Sequence, residues 1–132
     1  MMVIDSSAVL AILYREPEAP GMVAVLESSA VKVVSAMTLL ECDIVARVRK
    51  GAEGSRDVDR FMAATNPLIV PFDADQAAIA RDAFARFGKG RHRAGLNFGD
   101  CAVYALAASR AEPVLCKGGD FAATDLEIVP LG

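Results

Sequence analysis

The sequence predicts an α/β protein, a three-layer α/β/α sandwich around a parallel sheet of four to five strands. Two observations carry that expectation. Short β-rich runs (MVID, VKVVS, LIVPF, PVLC and EIVP) alternate with longer segments whose apolar residues recur at helical spacing. No repeat or low-complexity stretch interrupts the alternation, so residues 1–132 read as one domain. Hydrophobic residues make up 54% of the chain, enough to cover both faces of a sheet.

The opening MVID is a β-rich run that ends in an acid. Behind it, SSAVLAILYRE places Val9, Ile12 and Leu13 on one helical face, with Ser6 or Ser7 available as a cap. EPEAPGMVAVLES restarts a helix, its prolines tolerated only near the beginning. After the strand VKVVS, Ser35 caps AMTLLECDIVARVRK. There Met37, Leu40, Ile44 and Val48 form a stripe expected to face the core, and Gly51 ends the helix. Ser55 is expected to open the helix RDVDRFMAAT, which Asn66 and Pro67 close. The strand LIVPF leads into a helix capped by Asp73 and stopped by Gly88. The loop GKGRHRAG then precedes LNFGDCAVYALAASR, an apolar helix on which Phe98 and Tyr104 are expected in the core. PVLC, the loop KGGDFAATD and a closing strand EIVP complete the chain.

Bulk properties narrow the function. A net charge of -3 gives no overall basic face, so any attraction to nucleic acid must be local or carried by bound cations. Cys42, Cys101 and Cys116 are odd in number and form no CxxC pair. They fit a reducing compartment and argue against a disulfide framework or a zinc cluster. The N-terminus lacks the basic region of a signal peptide, and no apolar run approaches the roughly 20 residues that span a bilayer. The chain reads as cytoplasmic, with no membrane partner.

Four acids stand out by position. Asp5 ends the first strand, Glu41 rides the helix after the second, Asp100 heads the helix before the fourth, and Asp120 follows the fourth. Ligands in such sheets collect beyond the carboxyl ends of the strands. Each acid also has a local account. Asp5 can cap a helix, Asp100 can share a capping box with Asn97, and Asp120 can make an Asx turn. Glu41 lies on the border of a packed face, where an unpaired carboxylate costs several kcal/mol to desolvate. Asp43, two residues on, reads as a solvated acid. Oxygen-only donors with no histidine nearby point to Mg²⁺, which Mn²⁺ can replace, and not to zinc. Lys89, Arg91 and Arg93 form the dense basic cluster beside these acids.

The pieces VIDSSAVLAIL, SAMTLLE, FGKGRHRAGLNFGDC and LCKGGDFAATDLEIV, in that order, make the chain resemble the PIN-domain family. The resemblance is specifically to the VapC toxins of bacterial type II toxin–antitoxin pairs. It implies a PIN-like fold and a Mg²⁺-dependent endoribonuclease acting on tRNA, rRNA or mRNA through metal-activated water. Asp5, Glu41, Asp100 and Asp120 would be the catalytic and metal-binding acids, with Ser7 and Asn97 supporting them. Lys89, Arg91, Arg93 and Lys117 would meet RNA. A cognate VapB-type antitoxin would silence the toxin, which would itself be a homodimer, forming a heterotetramer or larger assembly with its partner. Gly119 stands where relatives often carry a second acid, and the rival reading is a catalytically degenerate PIN domain that only binds its antitoxin or RNA. A haloacid-type phosphatase is disfavoured, because DSSA lacks the second acid of a DxD nucleophile motif.

Overall fold

Among the described residues, four short strands build a parallel sheet in the order β3-β2-β1-β4. They are β1 (Met2–Ile4), β2 (Lys32–Ser35), β3 (Leu68–Val70) and β4 (Val114–Leu115). The computed structural model describes residues 1–29 and 31–132. In the register, Val3 lies opposite Val33 and Val114, and Ile4 opposite Leu115. Side chains alternate between the faces of a strand, and the core divides accordingly. Val3, Val33 and Val114 enter one hydrophobic cluster, while Met2, Ile4 and Leu115 enter another.

Among the described residues, six α-helices cover these two faces. The first cluster packs under α5 (Ala74–Phe87) and α6 (Phe98–Arg110) through Ala80, Ala83, Val103 and Leu106. The second packs under α1 (Ser6–Leu13), α2 (Ala19–Ser28), α3 (Ala36–Lys50) and α4 (Ala52–Thr65) through Val9, Met22, Leu26, Cys42, Val58 and Phe61. This is the expected three-layer sandwich with four strands. The closing strand EIVP contracts to a single parallel bridge between Ile128 and Val114. Val114 N–H donates to Glu127 O at 3.0 Å and Val129 N–H donates to Val114 O at 2.9 Å. Pro130 has no N–H with which to continue the ladder.

The caps follow the side-chain chemistry of the sequence. Ser35 Oγ accepts from Met37 N–H at 3.2 Å and Asp73 Oδ1 from Gln76 N–H at 3.0 Å. Asn66 ends α4 in the left-handed region at φ 46°. Gly51, at φ 61°, closes α3 and opens α4 in the same step. Helix α4 therefore begins at Ala52, and Ser55 lies inside it instead of opening it. Its Oγ donates to Asp43 Oδ1 at 2.5 Å and accepts from Arg47 at 3.0 Å. Asp43, read from the sequence as solvated, is thus tied into the α3–α4 hairpin.

The apolar stripe on α3 is also reversed. Leu40, Ile44 and Val48 are 55%, 52% and 82% exposed, and the buried face carries Thr38, Cys42 and Ala46. Helix α3 packs against α1, α4 and α6. Small residues are needed where helix backbones approach, which turns the bulky aliphatics outward. Phe98 departs in the same way, at 78% exposed, whereas Tyr104 is buried as expected.

The α3–α4 approach sets a stability prediction. A Cβ at Gly54 would stand 2.5 Å from the carbonyl carbon of Ala46 and nearer still to its oxygen, and main chain cannot step aside cheaply. Gly54→Ala is expected to lower unfolding free energy by about 1–3 kcal/mol, the usual range for overpacking. Urea denaturation of both proteins checks it.

Candidate active site

The chain runs from β1 outward through β2 to β3, then returns to place β4 on the other side of β1. Between β1 and β4 the direction of winding reverses, and such switch points open a crevice at the carboxyl ends of the strands. Asp5 follows β1 at that edge, its N–H donating to Leu115 O at 3.0 Å. Cys116 and Lys117 leave β4 beside it. Topology thus brings together two chain segments far apart in sequence.

Asp5 is 3% exposed and N-caps α1. Its Oδ2 accepts from Ser7 N–H at 3.1 Å and from Ser7 Oγ–H, while Oδ1 is buried without a hydrogen-bond partner. Burial pushes the carboxyl from 3.8 up to about 6; the Ser7 bonds oppose this, and the charges of Asp100 and Glu41 add to it. Glu41 projects from the half-buried border of α3, next to buried Cys42. That border position was expected, although the face it flanks is the one built on Cys42 and Ala46.

Asp100 and Asn97 form a complete capping box at the start of α6. Asn97 Oδ1 accepts from Asp100 N–H at 2.9 Å, and Asp100 Oδ2 accepts from Asn97 N–H at 3.0 Å. Burial raises the Asp100 carboxyl, and the charges of Asp120 and Glu41 raise it further against the Asn97 bond. Asp120 is exposed in the loop after β4, just before a 3-10 turn at Phe121–Ala123. The Cys116 thiol is pushed up to about 12 by burial and then by Asp5, Asp100 and Asp120, so it lies within reach of the charges of all three. Asp5, Glu41, Asp100 and Asp120 therefore share one electrostatic neighbourhood.

Among the described residues, none of these four acids enters a salt bridge. Nor, among the described residues, are three His, Cys, Asp or Glu side chains gathered closely enough to chelate an ion. The donor set nevertheless suits a hard divalent cation: all the donors are carboxylate oxygens, and one of them, Asp5 Oδ1, is buried and unpartnered.

The surrounding loops are held by interactions the sequence did not advertise. Lys117 N–H donates to Ser7 Oγ at 2.9 Å, and its ammonium pairs with Glu16 and, at 3.8 Å, with Glu18. The expected RNA-binding role of Lys117 thus competes with an internal one, clamping the loop after β4 to the turn between α1 and α2. Beyond Asp120, Tyr104 O–H donates to Asp125 Oδ1 at 2.6 Å and Arg86 pairs with Asp125 Oδ2 at 3.3 Å. Glu16, Glu18 and Asp125 were not singled out from the sequence, since their partners lie 21 to about 100 positions away.

Lys89, Arg91 and Arg93 are exposed on a loop that folds back upon itself. Leu96 N–H donates to Phe87 O and Lys89 N–H to Leu96 O, both at 2.9 Å. His92 Nδ1 accepts from Ala94 N–H at 3.0 Å and the ring meets Phe87 edge-on. The loop returns directly into Asn97 and Asp100, which sets its cations beside the acids in the chain. His92 has a local structural role there.

Comparison with known proteins bears on the family and the fold. The PIN domain family matches residues 2–127. A ribonuclease VapC from Mycolicibacterium smegmatis is 45% identical over 128 residues, covering 97% of this chain and 99% of its own. The fold also matches Mycobacterium tuberculosis VapC20, described as a toxin that cleaves the sarcin-ricin loop, with a TM-score of 0.81 and 17% identity over 98% of each chain. A toxin–antitoxin complex from Klebsiella pneumoniae gives a TM-score of 0.70 at 17% identity, covering 100% of this chain and 98% of that one. The chain belongs to the PIN-domain family.

Burial of Asp5 has a pH signature. The unfolded carboxyl titrates near 3.8 and the folded one near 6, so the folded state favours the protonated form. Its contribution to stability is complete below pH 3.8 and is lost as pH rises through 6, by about 3 kcal/mol. Asp5→Asn, measured in EDTA, is expected to raise the unfolding midpoint at pH 7.5 and to lose that advantage near pH 4. Thermal melts across the range check the sign.

Proposed function

We propose that this protein is a Mg²⁺-dependent endoribonuclease toxin, with Mn²⁺ able to substitute, and that a VapB-type antitoxin neutralises it. The observation that supports the reading is that Asp5, Glu41, Asp100 and Asp120 lie within range of shared charge effects around the carboxyl end of the sheet, with none in a salt bridge among the described residues. An acid as buried as Asp5 is ordinarily paired. The VapC relative, named a ribonuclease, supports RNA as the substrate class.

The four acids would hold the cation. A divalent ion held there would supply charge neutralisation at the scissile phosphate and a lowered pKa for a water nucleophile. Ser7 fixes Asp5 through Oδ2 and leaves Oδ1 for a ligand, and Asn97 does the same for Asp100 by engaging Oδ2 alone. Asp5 and Asp100 are thereby each oriented by a local hydrogen bond while keeping one oxygen free. The exposed Lys89, Arg91 and Arg93 would bind RNA phosphates, with Lys117 contributing less because Glu16 and Glu18 already balance its charge.

The outer face of α3 supports a protein partner. Leu40, Ile44 and Val48 continue into exposed Phe98, and two apolar cavities of about 540 and 340 Å³ meet at Met37 and Phe98. The smaller reaches Glu41. Contiguous exposed apolar surface of this kind marks interaction sites. An antitoxin segment or a second copy of the chain would cover it, and we assign the homodimer and the antitoxin complex to this protein on the same ground.

Purified protein is expected to cleave RNA with Mg²⁺ and to stop in EDTA. Asp100→Asn should retain the fold by circular dichroism and lower the cleavage rate by at least about 100-fold. Undiminished cleavage by that variant would remove the acids from the chemistry. Absence of Mn²⁺ binding by calorimetry, even with RNA present, would favour a degenerate, binding-only domain.

Replacing Lys89, Arg91 and Arg93 together with Ala should weaken binding of an uncleaved RNA evenly across sequences. The slope of log affinity against log salt should fall by about 2, near 0.7 for each single-strand phosphate that the protein no longer neutralises. Fluorescence anisotropy at several salt concentrations measures it.

A further inference from the structure

Gly99 sits in the first turn of α6, buried between exposed Phe98 and Asp100. Its backbone gives no reason for glycine, since the residue is helical and its φ is not positive. Helix propensity favours alanine at such a place. The missing side chain needs another cause, and its surroundings supply one. A Cβ at position 99 would stand 2.7 Å from both Cδ and Oε1 of Glu41, and nearer still to Oε2. All three nearest atoms belong to that one carboxyl group. Gly54 differs, because the obstruction there is the main chain of Ala46.

We propose that Gly99 is a positioning residue for the acidic site: its bare backbone is the notch that seats the Glu41 carboxylate against the first turn of α6. The claim rests on the metal-site reading above and deepens it. Glu41 reaches α6 from α3, and the two helices pack together. The N-terminal end of a helix also favours negative charge. The carboxylate ends a chain of rotatable bonds, so a methyl group at 99 turns it aside without moving either helix. A residue with a side chain at 99 would therefore preserve the fold and spoil one ligand.

Gly99→Ala tests this with readouts independent of cleavage. The unfolding midpoint should stay equal or rise, the Mn²⁺ dissociation constant from calorimetry should rise about tenfold, and a crystal structure should show the Glu41 carboxylate displaced by more than about 1 Å. In a Glu41→Ala background, adding Gly99→Ala should leave Mn²⁺ affinity unchanged, because the displaced group is gone. A lowered midpoint would make Gly99 a packing glycine and overturn the proposal. An unmoved Glu41, wild-type Mn²⁺ affinity, or a further loss in the Glu41→Ala background would overturn it as well. If the wild-type protein binds no Mn²⁺, the metal-site reading falls instead, and the crystal structure of the variant alone decides whether Gly99 seats Glu41.

Discussion

Asp5 lies beneath the surface at the end of a central strand, with one oxygen lacking any hydrogen-bond partner and two other carboxylates within range of its charge. Folding has to desolvate that carboxyl, and much of the neighbouring structure limits the cost. Ser7 contributes a main-chain N–H and a hydroxyl to it. The same hydroxyl accepts from Lys117 N–H, which joins the ends of β1 and β4 around the acid. Lys117 then reaches Glu16 and Glu18, fastening the loop that leads to Asp120. Removing the negative charge would relieve the protein, and its retention is what the proposed chemistry requires.

Helix α3 serves two faces with different demands. Inward it presents Thr38, Cys42 and Ala46, thin enough for α1 and α4 to lie close. Outward it presents Leu40, Ile44 and Val48, a surface that water does not favour. Glu41 stands at the seam between them. A partner laid along the outer face would therefore end near the acids, so docking and inhibition are geometrically linked in the proposed toxin. The stability forgone by leaving those aliphatics exposed is the counterpart of that link.

Much of this was legible in the sequence wherever the determining interaction is short-ranged. The alternation of β-rich runs with helical periods depends on neighbours a few residues apart, and so do the caps at Ser35, Asp73 and Asn97. Asp5 and Asp100 were readable as caps for the same reason, and Asp5 as a candidate for the proposed site because strand ends in parallel sheets have a known use. Cys42, Cys101 and Cys116 are free, in line with their odd number and the lack of a CxxC pair.

What tertiary structure decided was which surfaces are shared. Periodicity shows that Leu40, Ile44 and Val48 lie on one stripe, but not that close-packed neighbours of α3 exclude bulky side chains and turn that stripe outward. The start of α4 moved to Ala52 because Gly51 reverses the chain, which left Ser55 free to bond across to Asp43. EIVP is denied a full ladder by Pro130 and the short reach of β4. The pairings of Lys117 with Glu16, and of Tyr104 with Asp125, join residues whose separation carries no local signal. Local chemistry thus determined the elements and nominated the acids. Only the packing of distant segments, where size and charge meet in space, decided how those acids are seated and what surrounds them.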